Sequence, residues 1–132
     1  NTPGYPAAPI MEGPTVIKHK GKYYLFYSAN HFMSRDYAVG YAVADSPLGP
    51  WHKPANNRII HRSTVGENGS GHGDVFTDKK GNMFYVYHVH NSNYAVSPRL
   101  TRIVPLHFIP SNDGFDHVMV KKEEVIVPMQ KK

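Results

Sequence analysis

Short apolar and aromatic runs, each about one strand long, follow one another along the chain, separated by clusters of Gly, Pro, Asn and Ser. Pro14-Thr15-Val16-Ile17-Lys18-His19 leads into the turn pair Lys20-Gly21 and on to Lys22-Tyr23-Tyr24-Leu25-Phe26-Tyr27-Ser28, which predicts a hairpin whose second strand is buried on both faces. A third strand is predicted from Tyr37 to Ala44. It stops at Asp45-Ser46-Pro47-Leu48-Gly49-Pro50-Trp51, where prolines cannot donate to a ladder, and a short fourth strand is expected near Arg58-Ile59-Ile60-His61. Beyond the Gly-rich loop from Gly66 to Gly71 the pattern restarts with Asp74-Val75-Phe76-Thr77-Asp78, the turn Lys79-Lys80-Gly81-Asn82, and Met83-Phe84-Tyr85-Val86-Tyr87-His88. It continues through Leu100 to Val104 and Leu106 to Phe108, turns at Ser111-Asn112-Asp113-Gly114, and ends with a strand predicted over His117 to Val127.

Sliding the sequence by 60 residues places Gly13 on Gly73, Lys20 on Lys80, Gly21 on Gly81 and Tyr27 on Tyr87. The chain therefore reads as one all-β meander written twice. Repeated four-stranded antiparallel meanders are the sequence form of β-propeller blades, and two blade-like units are predicted, about residues 12–62 and 72–128, within a partial propeller domain spanning 1–132. A β-sandwich made from the same strands is the rival architecture. Two blades alone leave inner apolar faces uncovered, so either the missing N-terminal blades or self-association is expected to complete them.

Composition narrows the function classes. A chain of 132 residues, 40% hydrophobic and 19% charged, suits one soluble globular domain, and Gly 11, Pro 11, Tyr 9 and Phe 6 favour strands and turns over helices. No apolar stretch approaches the ~20 residues of a membrane span, so no membrane partner is expected. The net charge of +5 is scattered along the chain, with no basic face interleaved with stacking aromatics, so no nucleic-acid partner is expected either. Without Cys there is no disulfide framework, thiolate metal site or Cys nucleophile. The opening Asn1-Thr2-Pro3-Gly4-Tyr5-Pro6 has neither an initiator Met nor a secretory pattern, and reads as a processed, excised or truncated chain.

The same slide sets Glu12 on His72, each at the start of the first strand of a meander. In a propeller those strands line the central channel, so the two titratable side chains would meet at one mouth. Against this stands the bland alternative of a solvated carboxylate and a polar turn residue. His88 and His90 alternate on one face of a strand at a spacing that could ligate a metal, but no third ligand is evident and a satisfied edge or core histidine is the favoured reading; His31, Phe32 and Met33 fall in the loop after the second strand, where they can shape a binding subsite or simply pack.

Glu12-Gly13-Pro14, then Gly21 to Ser28, Tyr37-Ala38-Val39-Gly40-Tyr41-Ala42, Ser46-Pro47-Leu48-Gly49-Pro50-Trp51, Gly71-His72 and Tyr87-His88, in this order and spacing, resemble glycoside hydrolase family 43. The resemblance implies a five-bladed β-propeller of inverting glycosidases acting on arabinofuranosides, xylosides and related plant polysaccharides. It implies Glu12 as the general acid, protonating the leaving oxygen. It also makes His72 a substrate or ion contact near the channel axis, where calcium is the one ion suggested and no cofactor is required. Arg99 is the implied sugar-site arginine, with Arg102 as competitor because Pro98 stands where the family has glycine. An inverting enzyme needs a second carboxylate roughly 6.5–9.5 Å away as base. The family's base and its modulating aspartate should precede Glu12, yet the eleven residues before it hold no Asp or Glu, and Asp36, Asp45 and Asp74 carry no supporting motif. The expectation is thus the C-terminal part of a secreted or periplasmic glycoside hydrolase that is incomplete by itself. The alternative is a non-catalytic carbohydrate-binding β module.

Overall fold

The computed structural model describes residues 11–29, 33–92 and 94–128, with Met11 and Glu12 described by their backbone. β1 (Met11–His19) and β2 (Lys22–Ala29) are joined by Lys20 and Gly21, with φ of +48° and +80°. Two positive φ values in a two-residue loop match the strands' right-handed twist, and they fix the register with His19 opposite Lys22. β3 (Ala38–Ala44) pairs with the other edge of β2, giving the sheet order β1-β2-β3. Its small residues let it be buried along its whole length. At Gly40 an added Cβ would stand 2.7 Å from both the Tyr27 hydroxyl and Asn57 Oδ1, so no larger residue fits without a shift.

The fourth strand expected near Arg58 to His61 shrinks to a single bridge between Val39 and Ile60. The reason lies in Asn57. Its side chain takes both Tyr41 backbone groups, accepting from the N–H at 2.8 Å and donating to the carbonyl at 2.8 Å, and so stands in for the missing strand. His61 then leaves the ladder to cap the short helix α1 (Arg62–Val65), its Nδ1 accepting the Ser63 N–H at 3.1 Å.

The second meander repeats the plan with β4 (Gly71–Thr77), β5 (Met83–Val89) and β6 (Leu100–Pro105), ordered β4-β5-β6. In the predicted turn, Asp78 Oδ1 accepts the Lys80 and Asn82 amides, each at 2.9 Å. The strand expected over His117 to Val127 is also corrected. β7 (His107–Ile109) pairs with a short β8 (His117–Met119), the charged Lys122–Glu124 stretch winds into a 3-10 turn, and Ile126 returns only as a bridge to Ile103 beside β6. The β7–β8 hairpin reaches across to the first sheet: the Val118 N–H donates to the Tyr41 hydroxyl at 3.1 Å, and the Tyr24 hydroxyl donates to the Asp116 carbonyl at 2.7 Å. His19 stacks on Phe108 at 3.9 Å and bonds Asp116 at 2.9 Å.

One core joins the sheets. Tyr24, Phe26, Val39 and Tyr41 of the first and Tyr85, Tyr87, Val89 and Val104 of the second are fully buried together with Val118, and Phe26 meets Tyr85 with ring centroids 6.0 Å apart. The all-β, blade-like architecture is as expected: two antiparallel meanders pack as neighbours, each with three strands and a bridged outer segment in place of four full strands. Their first strands meet, the Thr15 hydroxyl donating to Asp74 Oδ1 at 2.9 Å. The far side of the second sheet shows Phe76, 40% exposed, stacked on Phe84.

Two expectations follow from this packing. Tyr85 is wholly buried and its hydroxyl has no hydrogen-bond partner among the described residues. In urea unfolding, Tyr85→Ala is expected to lose about 3–5 kcal/mol, whereas Tyr85→Phe keeps stability or gains up to about 1 kcal/mol; a large loss in the Phe variant would contradict the packing described. The His19 imidazole, helped by Lys20, holds the Asp116 carboxyl below the ordinary aspartate value. A depressed carboxyl stabilises the fold fully above that ordinary value of ~3.9, and the contribution is lost as the pH falls through the folded value. Thermal midpoints measured from about pH 5 to about pH 3 should therefore fall less steeply in Asp116→Asn than in the wild type.

Candidate functional site

Each first strand carries a bulge near its start. In β1, Gly13 and Pro14 lie between the pairs Glu12–Ser28 and Thr15–Phe26; in β4, His72 and Gly73 lie between Gly71–His88 and Asp74–Val86. The bulges correspond, but one residue short of the 60-residue slide. Glu12 matches Gly71, and His72 matches Gly13, so the predicted equivalence of Glu12 with His72 is corrected. The slide holds on β2 and β5, and the difference is absorbed at the turn, where the three residues between the paired Asp78 and Asn82 replace the two between His19 and Lys22.

Gly13 and His72 both have left-handed backbones, with φ of +60° and +53°. Glycine takes that conformation freely, but histidine adopts it at a cost of ~1–2 kcal/mol. Two polar contacts hold it there: the His72 N–H donates to Ser28 Oγ at 2.7 Å, and the Tyr37 hydroxyl lies 3.3 Å from His72 Nδ1. The flanking glycines are steric necessities: a Cβ at Gly71 would lie 2.8 Å from the Tyr37 ring, and one at Gly73 would lie 1.7 Å from the Val86 carbonyl oxygen. Ser28 is fully buried and sits opposite Glu12 in the ladder, so a single hydroxyl ties the Glu12 position to His72.

His88, paired with Gly71, faces the same region. Burial first, then the nearby Arg99 and His72, push its imidazole below the ordinary histidine value, and its Nδ1 is buried without a partner among the described residues. His90 matches the expectation of a satisfied core histidine. His90 is buried against Gly69, where an added Cβ would overlap its ring at 2.0 Å, and its N–H donates to the Asn68 carbonyl. Arg99 is exposed and within electrostatic reach of His88. Arg102 instead grips Glu67 with Nε and an Nη at 3.0 and 3.2 Å, its side chain only 13% exposed.

The three aspartates weighed as bases all have structural partners. Asp36 binds Arg62 at 2.9 Å and His61 at 3.2 Å, Asp45 pairs with Lys22, and Asp74 accepts from Thr15 and the Val75 N–H. His31 and Phe32 lie outside the described residues; Met33 beside them is exposed. No group of three or more His, Asp or Glu side chains among the described residues converges to hold a metal. Calcium takes six to eight oxygens, and His72 has one ring nitrogen, Nδ1, 3.3 Å from the Tyr37 hydroxyl. Sequence reading missed Ser28 and Tyr37. The signal for Ser28 was its register: a two-residue turn at Lys20-Gly21 places it against the start of β1.

The family model for glycosyl hydrolases family 43 matches residues 3–114. The chain is 35% identical over 78 residues to the β-D-galactofuranosidase XynD of Aspergillus niger, covering 59% of this chain and 23% of that protein. Among solved structures it is similar to an endo-1,4-β-xylanase from Bacteroides thetaiotaomicron, with 37% identity, a TM-score of 0.78, and coverage of 90% of this chain and 40% of that one. A thermostable family-43 glycoside hydrolase is similar at 44% identity and a TM-score of 0.74, over 86% of this chain and 36% of that one. The chain belongs to glycosyl hydrolase family 43, and it spans less than half the length of these relatives.

The left-handed backbone of His72 makes a direct prediction. His72→Gly should be more stable than His72→Ala by about 1 kcal/mol, because alanine keeps the strain without the ring contacts. Denaturant midpoints of the two variants check it, and the reverse order would mean that the bulge is not left-handed in solution.

Proposed function

We propose that this chain carries the general-acid side of the active site of an inverting glycoside hydrolase acting on arabinose- or xylose-containing plant polysaccharides or oligosaccharides. The observation that carries the reading is the Ser28 bridge. It sets Glu12 and His72 at the starts of two adjacent first strands, where a propeller's channel opens.

In this reading the Glu12 carboxyl gives its proton to the glycosidic oxygen as the bond to the anomeric carbon breaks. A base carboxylate from the preceding blades takes a proton from water, whose oxygen attacks the opposite face of the sugar. Arg99 and His72 contact the substrate's hydroxyls, and His31 and Phe32 border the sugar site. Acid catalysis requires no cofactor. The chain by itself lacks the base and is inactive; with the missing blades supplied, activity returns. The substrate class places the protein outside the cell or in the periplasm, and no helix among the described residues is long and apolar enough to cross a membrane.

The test is an assay on aryl arabinofuranosides and xylosides in the presence of the N-terminal blades, with the first-formed anomer followed by NMR. Glu12→Gln is expected to lower kcat/KM by roughly 10²–10⁴ while sugar binding survives, and the first product should have inverted configuration. Turnover unaffected by Glu12→Gln would overturn the assignment and favour a non-catalytic carbohydrate-binding module.

A further inference from the structure

Three strands of the second sheet meet at the mouth where Glu12 and His72 stand: β4 starts there, β5 arrives with His88 opposite Gly71, and β6 leaves from Leu100, opposite Val89. The segment that joins β5 to β6, residues 90–99, therefore rises from the end of the sheet that holds the candidate site. Its described residues from Asn91 to Arg99 are all exposed except the half-buried Val96. The segment holds its shape through its own hydrogen bonds. The Asn91 N–H donates to the Val96 carbonyl at 3.2 Å and the Ser92 N–H to the Ala95 carbonyl at 3.1 Å, which extends the pair of strands as a narrow ribbon. Ser92 Oγ accepts the Tyr94 and Ala95 amides, each at 3.1 Å, and Asn91 Nδ2 donates to the Pro98 carbonyl at 3.0 Å. Tyr94 sits at the turn of this ribbon and is 98% exposed. Bareness by itself says little, since single exposed apolar residues are common. Leu48 is 94% exposed in the turn beyond β3, at the opposite end of its sheet. Tyr94 differs from it in place and in company.

We propose that Tyr94 is a stacking platform for a sugar residue of an extended polysaccharide chain, at a position beyond the bond that is cut. Around the ring the segment offers the amide and hydroxyls of Asn91, Ser92 and Ser97, and no other large hydrophobic side chain among its described residues is exposed. A surface that docks a protein is apolar and contiguous at its centre. One aromatic face among amides and hydroxyls suits a sugar, which presents C–H bonds on a ring face and hydroxyls around its edge. A tyrosine side chain turns about only two torsions, so stacking costs it little entropy. The ribbon carries Tyr94 outward past Val89, the last ladder residue of β5, and away from the strand end that holds His88. A chain laid across the mouth therefore meets Tyr94 at a sugar other than the one whose bond lies at Glu12. The neighbouring blades pack through the faces of their sheets, as Phe26 does on Tyr85, whereas this ribbon projects from a sheet's end.

This inference rests on the sugar-site reading of the Glu12–His72 mouth and adds to it a preference for long substrates, but its first readout does not depend on turnover. The chain itself is titrated with xylohexaose and, separately, with arabinohexaose, and the Tyr94 ring protons are followed by NMR. They should shift with one of the two, and Tyr94→Ala should bind that sugar about 3- to 10-fold more weakly. Tyr94→Phe and Tyr94→Trp keep an aromatic face and should bind as the wild type does. Thermal midpoints should be equal in all four proteins because the ring makes almost no contact, so a lost affinity is not a lost fold. With the N-terminal blades present, Tyr94→Ala should raise the KM for the hexasaccharide relative to that for an aryl glycoside by the same factor, with kcat nearly unchanged. Ring signals unmoved by either sugar, an alanine variant that binds as tightly as the wild type, or a Phe variant as weak as the alanine one would overturn the proposal. So would weaker association of Tyr94→Ala with the N-terminal blades in sedimentation, since protein would then be what covers the ring. Loss of turnover in Glu12→Gln with no effect of Tyr94→Ala removes the platform alone. The expected Tyr94 behaviour with Glu12→Gln still active removes the acid assignment and leaves a polysaccharide-binding surface.

Discussion

The face-to-face contact of the two sheets, centred on Phe26 against Tyr85, is what the rest of the molecule depends on. Each meander presents an apolar face that the other covers. Packed together, Tyr24, Phe26 and Tyr41 on one side and Tyr85, Tyr87 and Val104 on the other lose all contact with water. The β7–β8 hairpin then closes the seam by lending Val118 to the core of the first sheet, so the tail of the second unit is part of the structure of the first. The polar connection of Thr15 to Asp74 and of Ser28 to His72 follows from that packing: aromatic burial brings β1 and β4 together, and hydrogen bonds set their alignment.

Alignment matters because both first strands are bulged. A bulge re-aims the residues on either side of it, and here the two copies use it differently. In β1 the bulge is filled by Gly13-Pro14, leaving Glu12 as the last ladder residue before it; in β4 the bulge itself carries the side chain, His72, with glycines on both flanks to admit Tyr37 below and the Val86 carbonyl beside it. Duplicated architecture with unlike occupants gives an acid and an imidazole at one end of neighbouring strands without a long loop to position either.

Much of this was legible in the sequence. Strand-length aromatic runs and Lys-Gly turns gave the hairpins, and the ordered motifs gave the family. What failed did so for identifiable reasons. The fourth strand near Ile60 was lost because Asn57 satisfies Tyr41 with a side chain, and an amide mimicking a strand cannot be seen in an apolar pattern. The last strand was cut at Met119 because the Lys122–Glu124 turn intervenes before Ile126. The slide that equated Glu12 with His72 failed because turn length and strand register compensate, and a self-comparison at one offset averages over both. Ser28 and Tyr37 were invisible as site residues because their roles lie in contacts across elements, and the ion pair of Arg102 with Glu67 is likewise a contact across elements.

The charges around the mouth bear on how a carboxyl there could act as an acid. A proton donor at neutral pH needs its pKa raised, by burial or by a second carboxylate. The titratable groups described near the start of β4 are His72, His88 and Arg99, and Arg99 lowers the tendency of His88 to take up a proton. The same positive charge favours the ionised form of any carboxyl beside it, which works against a general acid. The three aspartates that might have opposed it are bound to Arg62 and His61, to Lys22, and to Thr15. A carboxyl acting as a general acid beside that charge needs other carboxylates or desolvation to offset it.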